Sequence, residues 1–396
     1  MNAMNNGWLE LLLWGVAAVF FGMTAASCFH LRWARRLPSF ASLHANGPLV
    51  SSTPGDSLLR VSVVLAARDE EARIENTMRR LLAQQEVQLE IIAVDDRSHD
   101  RTGEILRRLA KEDPRIKPLR VDVLPEGWLG KCHACHLGAA AATGDWILFT
   151  DADCWLKPDV LARALRVAKL EGADHITLTP GIAPTGVGAQ VWHLAFLISL
   201  ANWFSGVNRD QPKAYFGIGA FNLVRATAYR ACGGYEALRL SVVDDFKLGL
   251  LLRRSGHRTR AFIGGDDTEC HWGTTVRGMI GIMEKNYFAA MDYRTGAAVG
   301  LGVIGLILFG GAFLGPLTGT RAGYAAGLAF LSLAWPASVA ASRLGWSRWM
   351  ALFTPFIFPV VFYAILNSAM VTLRQGGIRW RDTFYPLDLL RRGSVR

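Results

Sequence analysis

The chain predicts an α/β fold: a doubly wound, mostly parallel sheet with apolar helices of membrane-spanning length toward both ends. Three observations carry this. Between residues 60 and 295, short apolar runs rich in Val and Ile alternate with amphipathic stretches, the pattern of βαβ units. Outside that region lie long apolar segments; hydrophobic residues make up 51% of the chain and its mean hydropathy is +0.21, high for a soluble domain. Two carboxylates, Asp151 and Asp153, follow the apolar run at 144–148, at the strand end where open α/β sheets usually bind ligands.

Residues 8–29 are long enough to span a bilayer and are broken only by Glu10. No Lys or Arg precedes them, and Arg32, Arg35 and Arg36 follow, the wrong flank for a cleaved secretory signal. Residues 1–37 therefore read as an uncleaved anchor with its N-terminus outside and the following chain in the cytosol. Residues 38–59, rich in Ser, Gly and Pro, read as a linker.

The domain at 60–295 opens with a strand at 61–66 and a helix at 71–85. A strand at 90–94 leads through a polar loop into a helix ending near 111. A short strand at 116–119, a helix at 133–142, the strand before Asp151, a helix at 158–170 and a strand at 175–179 continue the alternation. Residues 187–207 are apolar and aromatic. They read as a core helix or one lying at the membrane surface, because a span there would separate the domain from its later motifs. Helices are predicted at 244–254 and 275–291. The segments 297–317, 323–341 and 349–373 form a C-terminal membrane region at 296–373, and a basic tail fills 374–396. Three full crossings would put Arg391, Arg392 and Arg396 outside, against the positive-inside rule. We therefore expect 349–373, with Pro355 and Pro359, to re-enter or lie at the interface.

The formal charge is +10 and the pI about 9.6. Arg32, Arg35, Arg36, Arg374, Arg379 and Arg381 flank apolar segments, which suits an anionic leaflet and not a nucleic acid groove. The six cysteines form no small-domain framework, and they read as reduced and cytosolic.

Several motifs carry chemistry. Asp69 and Glu70, in Ala67-Arg68-Asp69-Glu70-Glu71, follow the first strand beside the crevice of a doubly wound sheet, although charges after a strand are ordinarily just solvated. Asp95 and Asp96 end the second strand, where a carboxylate can accept from a ribose hydroxyl or a base N–H; Asp100 and Thr102 read instead as helix capping. Gly127-Trp128-Leu129-Gly130-Lys131 places glycines and a lysine just before a helix, which suits a phosphate or a plain surface loop equally. Cys132-His133-Ala134-Cys135-His136 matches a haem-attachment pattern and half a zinc site, yet no second cysteine pair completes the latter, so buried helix residues are expected. Asp151 and Asp153 can hold a hard divalent cation on a diphosphate. Gly217 and Gly219 would let backbone approach a ligand closely. Asp244 and Asp245 open a helix, where acids are favourable dipole partners or, in a cleft, a general base.

Taken together and in this order, the motifs resemble a family 2 glycosyltransferase over about residues 60–292. The flanking apolar segments and the Gly-Lys-x-x-Ala-Cys run further resemble membrane enzymes that glycosylate hopanoids, carotenoids or ceramide. The resemblance implies a sheet of the nucleotide-diphospho-sugar transferase type at the cytosolic face of the inner membrane, with multiple spans. It implies that Asp95 and Asp96 contact the nucleoside of a nucleotide-sugar donor, with Asp69, Glu70 and Lys131 beside it. Asp151 and Asp153 would hold ribose and a Mg²⁺ or Mn²⁺ on the diphosphate. Asp245, beside Asp244, would deprotonate a hydroxyl of a membrane lipid acceptor at the Gly217–Gly219 side, with inversion at the sugar. The chain departs from the pattern at two places. The Gln-x-x-Arg-Trp signature of processive synthases is absent, which argues for a single transfer, and Arg97 stands where a small residue is expected. Rival readings are transfer to a polyprenyl phosphate, a silent nucleotide-sugar-binding scaffold, and a haem protein using Cys132, Cys135 and His136.

Overall fold

The computed structural model describes residues 7–45, 59–183, 186–273 and 275–395. From the N-terminus these form α1 (Gly7–Leu31), α2 (Phe40–Ala45), β1 (Arg60–Ala67), α3 (Ile74–Leu82), β2 (Gln88–Asp96), α4 (Thr102–Glu112) and β3 (Ile116–Val121). There follow α5 (Gly130–Ala140), β4 (Trp146–Asp151), β5 (Cys154–Leu156), α6 (Val160–Glu171), β6 (His175–Ile182) and α7 (Val187–Asn208). Next come β7 (Asn222–Arg225), α8 (Ala226–Ala231), α9 (Gly234–Ala237), α10 (Asp244–Arg254) and β8 (Thr259–Cys270). The last part holds α11 (Val276–Met283), α12 (Asn286–Ala290), α13 (Thr295–Leu314), α14 (Arg321–Leu331), α15 (Ala334–Leu344), α16 (Thr354–Gln375), β9 (Gly377–Trp380), β10 (Thr383–Pro386) and α17 (Leu387–Gly393).

The chain folds as two compact units. One comprises the described residues within 34–183, 206–272 and 392–395; the other comprises those up to 33, within 186–205 and within 273–391.

The first unit is built on an eight-stranded sheet in the order β3-β2-β1-β4-β7-β6-β8-β5. Strands β1 to β4 are parallel and so are β6 and β8, whereas β7 runs antiparallel to both its neighbours and β5 antiparallel to β8. The expected mostly parallel, doubly wound sheet is present, with these antiparallel strands making it mixed. Alternation along the strands serves two faces, as a period of two requires. Val63, Leu65, Ile91 and Ala93 share a core with Ile74 and Met78 of α3, Leu106 of α4 and Leu161 of α6. Val64 and Val94 face the other way, onto α5. There Gly138 lets the helix lie close: a Cβ at this position would be 2.4 Å from Val64 Cγ1.

The second unit is helical. Its α1, α7, α13, the α14–α15 pair and α16 with its leading 3-10 turn are each long and apolar enough to cross a membrane. Small residues let these helices touch, as packing in lipid favours. Val16 of α1 lies against Gly311 and Leu13 against Gly315, while Ala322, Ala326 and Ala329 of α14 share a cluster with Leu13, Val16, Ala17 and Phe20. Helix α16 runs antiparallel to α13. Phe362 fills the space beside Gly305, Leu366 lies against Gly302, and Ser368 bonds the backbone at Glu284 and Phe288, just before α13. The start of α13 and the end of α16 therefore share one end of this unit. The β9–β10 hairpin belongs there too, with Lys285 Nζ 3.4 Å from the centre of the Trp380 ring. Because Leu13 sits at the Gly315 turn and Thr24 bonds Ser332 at 2.7 Å, α1 also points its C-terminus toward that end.

Several elements differ from the expected ones. The helix expected at 71–85 starts at Ile74, because Glu70 and Glu71 are engaged by the neighbouring loop. The one at 275–291 breaks into α11 and α12, and the segment at 323–341 breaks between α14 and α15. Of the expected linker, Phe40–Ala45 is helical, and residues 46–58 lie outside the described residues. The reading of all six cysteines as reduced is corrected: Cys154 and Cys270 form a disulfide. They are direct partners across the antiparallel β5–β8 ladder with Cα atoms 4.4 Å apart, within bonding reach.

Candidate active site

The C-terminal edge of β1, β2 and β4 gathers the acids. Register fixes the gathering: Ala67 pairs with Asp95 and Ala66 with Asp151, so both carboxylates flank the end of β1. Two loops then lock together over this edge. The Asp69 N–H donates to Ser98 Oγ, the His99 N–H to Asp69 Oδ1 at 2.8 Å and the Glu70 N–H to Thr102 Oγ1 at 2.8 Å. Asp69 and Arg97 both sit at positive φ, 53° and 58°, a costly backbone state for non-glycine residues that such cross-bonding can hold.

Asp95 and Asp96 are nearly buried and already engaged. Asp95 accepts from the Ser98 N–H and pairs with Arg120 at 2.6 Å. Arg97 forks onto both oxygens of Asp96, at 2.8 and 3.1 Å. Gly130 opens α5 against this pair, and a Cβ there would lie 2.2 Å from Asp96 Oδ2. Asp100 accepts from the Thr102 and Glu71 N–H groups.

Lys131, on the first turn of α5, joins β4 to α10. Its Nζ bonds Asp151 Oδ1 at 2.6 Å and lies 3.8 Å from Asp244 Oδ1. Burial works to remove its proton, but Asp151, Asp244 and Asp245 outweigh burial and hold its pKa well above the usual lysine range. Asp244 is buried and accepts from Tyr235 Oη at 2.9 Å.

Asp245 is held by backbone. Its Oδ2 accepts from the Gly219 N–H at 2.6 Å and its Oδ1 from the Phe246 N–H at 2.7 Å. Burial, then the Asp244 charge, pushes its pKa up to about 6, against the opposing pull of Lys131. The glycines of the 214–222 loop are needed for close approach. A Cβ on Gly217 would be 2.1 Å from the Asp245 carbonyl oxygen, and one on Gly219 would be 2.7 Å from Asp151 Oδ2.

Asp153 is pushed up to about 7 by burial, then by Asp151 and Glu70. Like charges crowded in this way are relieved by a cation. Beside Asp153 lies His271, a residue the sequence reading missed. The His271 N–H donates to the Asp153 carbonyl at 3.1 Å, and its ring lies tilted against Trp155 with centres 3.8 Å apart. Its Nε2 is buried with Glu269 Oε1 3.4 Å away, and burial lowers its pKa against the opposing pull of Glu269. Asp151 and Asp153 supply carboxylate oxygens of the kind a hard divalent cation takes, and His271 adjoins Asp153 through its backbone. The only local signal for His271 is its adjacency to Cys270. Tyr235, also missed, has no local signal.

Cys132 and Cys135 are buried in α5, and burial drives both thiols upward, Cys135 to about 12. Such protonated, enclosed thiols suit packing better than attachment chemistry.

Residues 62–233 match the family model described as Glycosyl transferase family 2. The chain is 26% identical over 206 residues to the 4,4'-diaponeurosporenoate glycosyltransferase of Staphylococcus haemolyticus (strain JCSC1435), covering 50% of this chain and 53% of that protein. It is 26% identical over 195 residues to the protein of the same name from Staphylococcus aureus (strain USA300), covering 48% and 50%. The alignments thus span about half the length of these curated relatives. Among solved structures it is similar to the mannosyltransferase PcManGT from Pyrobaculum calidifontis in complex with GDP-Man and Mn²⁺. That likeness has a TM-score of 0.54 and 19% identity and covers 92% of this chain and 98% of that one, which shows a shared fold.

Proposed function

We propose, for a chain whose residues 62–233 are a glycosyl transferase family 2 domain, an inverting, metal-dependent transfer of a sugar from a nucleotide-diphospho-sugar to a membrane lipid. One observation carries the reading: β4, α5 and α10 bring Asp151, Lys131 and Asp245 into one cluster, with Asp245 held by the Gly219 N–H. The relatives are named for a carotenoid acid, which favours an extended apolar acceptor.

In this reading Asp95 and Asp96, with Asp69 and Glu70 alongside, line the nucleoside side. Lys131 and the first turn of α5 face the diphosphate, giving a fixed positive charge and backbone N–H groups. Asp153, Asp151 and His271 would hold a Mg²⁺ or Mn²⁺, which neutralises charge developing on the departing diphosphate. Asp245 takes the proton of an acceptor hydroxyl. The acceptor oxygen bonds to the anomeric carbon on the face opposite the leaving diphosphate oxygen, and that bond breaks, so the configuration inverts. Asp244, enclosed by Lys131 and Tyr235, positions the lysine.

Membrane placement at the cytosolic face of the inner membrane is supported by charge. The helical unit carries Arg32, Lys285, Arg294, Arg374, Arg379 and Arg381 toward one end, and a basic end favours the cytosolic side. With α16 antiparallel to α13, the residues directly after α16 share the end at which α13 starts, which supports a cytosolic side for Arg374, Arg379 and Arg381.

NMR of the product tests the reaction: the anomeric configuration of the lipid glycoside should be opposite to the donor's. Retention would overturn the mechanism. Asp245→Asn decides the acceptor class. A hydroxyl acceptor needs the base and loses about 10²–10⁴-fold in turnover, whereas an anionic acceptor, carboxylate or polyprenyl phosphate, retains most of it.

A further inference from the structure

The pair Cys154–Cys270 plays no part in the transfer proposed above, yet it adjoins two of the proposed metal ligands. Cys154 follows Asp153, and Cys270 precedes His271. Both cysteines are fully buried, while Asp153 remains partly open. Cys154 Sγ lies 3.7 Å from Asp153 Oδ1, and a ligand atom from each of Asp153, Cys154 and Cys270 lies within 4.8 Å of the other two.

We infer that, once the disulfide is reduced, Cys154, Cys270 and Asp153 form a binding site for a thiophilic divalent cation of the Zn²⁺ or Cd²⁺ type, which competes with the donor-bound metal for Asp153. The competition rests on the reading of Asp153 as a metal ligand; the site itself does not.

The ligand atoms suit the ion. Thiolates select Zn²⁺ and Cd²⁺ over Mg²⁺ and Mn²⁺. Tetrahedral zinc–sulfur bonds of about 2.3 Å place neighbouring ligands about 3.7 Å apart, so the two sulfurs, bonded to each other in the structure, part on reduction to take the metal between them. Because Cys154 and Cys270 are directly opposed on β5 and β8, breaking the bond leaves both sulfurs facing one point. Entry is along the open side of Asp153. The chemistry balances with a dithiol reductant. The dithiol gives two electrons and two protons to the disulfide, the S–S bond breaks, two thiols form, and the dithiol becomes a cyclic disulfide. On metal binding the two thiols release their protons to solvent and two metal–sulfur bonds form. A disulfide facing a reducing compartment is of the kind usually transient or redox-sensing, so the reduced form is the relevant one there. Among the described residues, Cys28, Cys132, Cys135 and Cys232 belong to no comparable cluster of three ligating side chains.

The test is a Cd²⁺ titration of the full-length detergent-purified protein, following the ultraviolet thiolate-to-cadmium charge-transfer band. Protein reduced with dithiothreitol and freed of reagent should develop the band, saturating at a single equivalent. Oxidised protein and the Cys154→Ser/Cys270→Ser variant should not. Cys270→Ser alone should bind at least about tenfold more weakly. No band in the reduced wild type, or an equal band in the double variant, overturns the site. In a parallel assay, Zn²⁺ should lower Mn²⁺-supported turnover of reduced wild type about tenfold and spare the double variant. Equal inhibition of both overturns the competition. The cadmium band needs no turnover, so a failure of the transferase reading leaves this test intact.

Discussion

Asp245 accepts two backbone N–H groups and still has a raised pKa, because burial and the Asp244 charge outweigh those bonds and Lys131. A base must be ionised to act, so kcat/KM should rise with pH through about 6 and level off above it, and Asp245→Asn should remove that limb. A flat profile in the wild type would contradict the assignment. His271 gives a second residue-level prediction. His271→Ala should weaken the apparent Mn²⁺ affinity by about tenfold or more with little change in donor affinity, measured by metal titration of activity. Much of this cluster was legible because acids at strand and helix ends stand out: Asp95, Asp96, Asp151, Asp244 and Asp245 are all such positions. His271 and Tyr235 were not, since each acquires its neighbours only when distant segments meet.

At the element scale, the loop between α7 and β7 carries the most demanding geometry. Its Gly217 faces the Asp245 carbonyl, a backbone atom that cannot rotate away. Gly217→Ala should displace the start of α10, lower kcat by about 10²-fold and cost about 1–3 kcal/mol of stability, read from turnover and chemical unfolding. Wild-type turnover in that variant would show that the close approach is dispensable. Strands β1, β2, β4 and β6 were legible as apolar runs. Strands β5, β7 and β8 were not. β5 and β7 have three and four residues, and the second half of β8 is Gly-Asp-Asp-Thr-Glu-Cys, which reads as a loop. Its pairing with β5 is a tertiary event, and the Cys154–Cys270 bond went unread for the same reason. The breaks between α11 and α12 and between α14 and α15 fall inside continuous apolar or amphipathic patterns, which periodicity does not resolve.

For the whole molecule, the direction of α16 decides the topology. A cysteine placed at Leu317, in the turn after α13, should react with a membrane-impermeant maleimide in intact cells, and one at Arg381, in the β9–β10 turn, should not. The reverse labelling would contradict a cytosolic basic end. The apolar helices of membrane-spanning length were legible from hydropathy, but their directions depend on packing partners such as Phe362 with Gly305 and Thr24 with Ser332. The central claim is metal-dependent transfer of sugar to a lipid, and it is tested most directly with labelled donors. Detergent-purified wild type and Asp153→Ala would be given a panel of UDP- and GDP-sugars, Mg²⁺ or Mn²⁺, and a bacterial lipid extract containing carotenoid and polyprenyl lipids. The account predicts label in the lipid phase from one donor, abolished by chelation and by Asp153→Ala. Label that persists without metal and in the variant, or no labelled lipid from any donor, would contradict it.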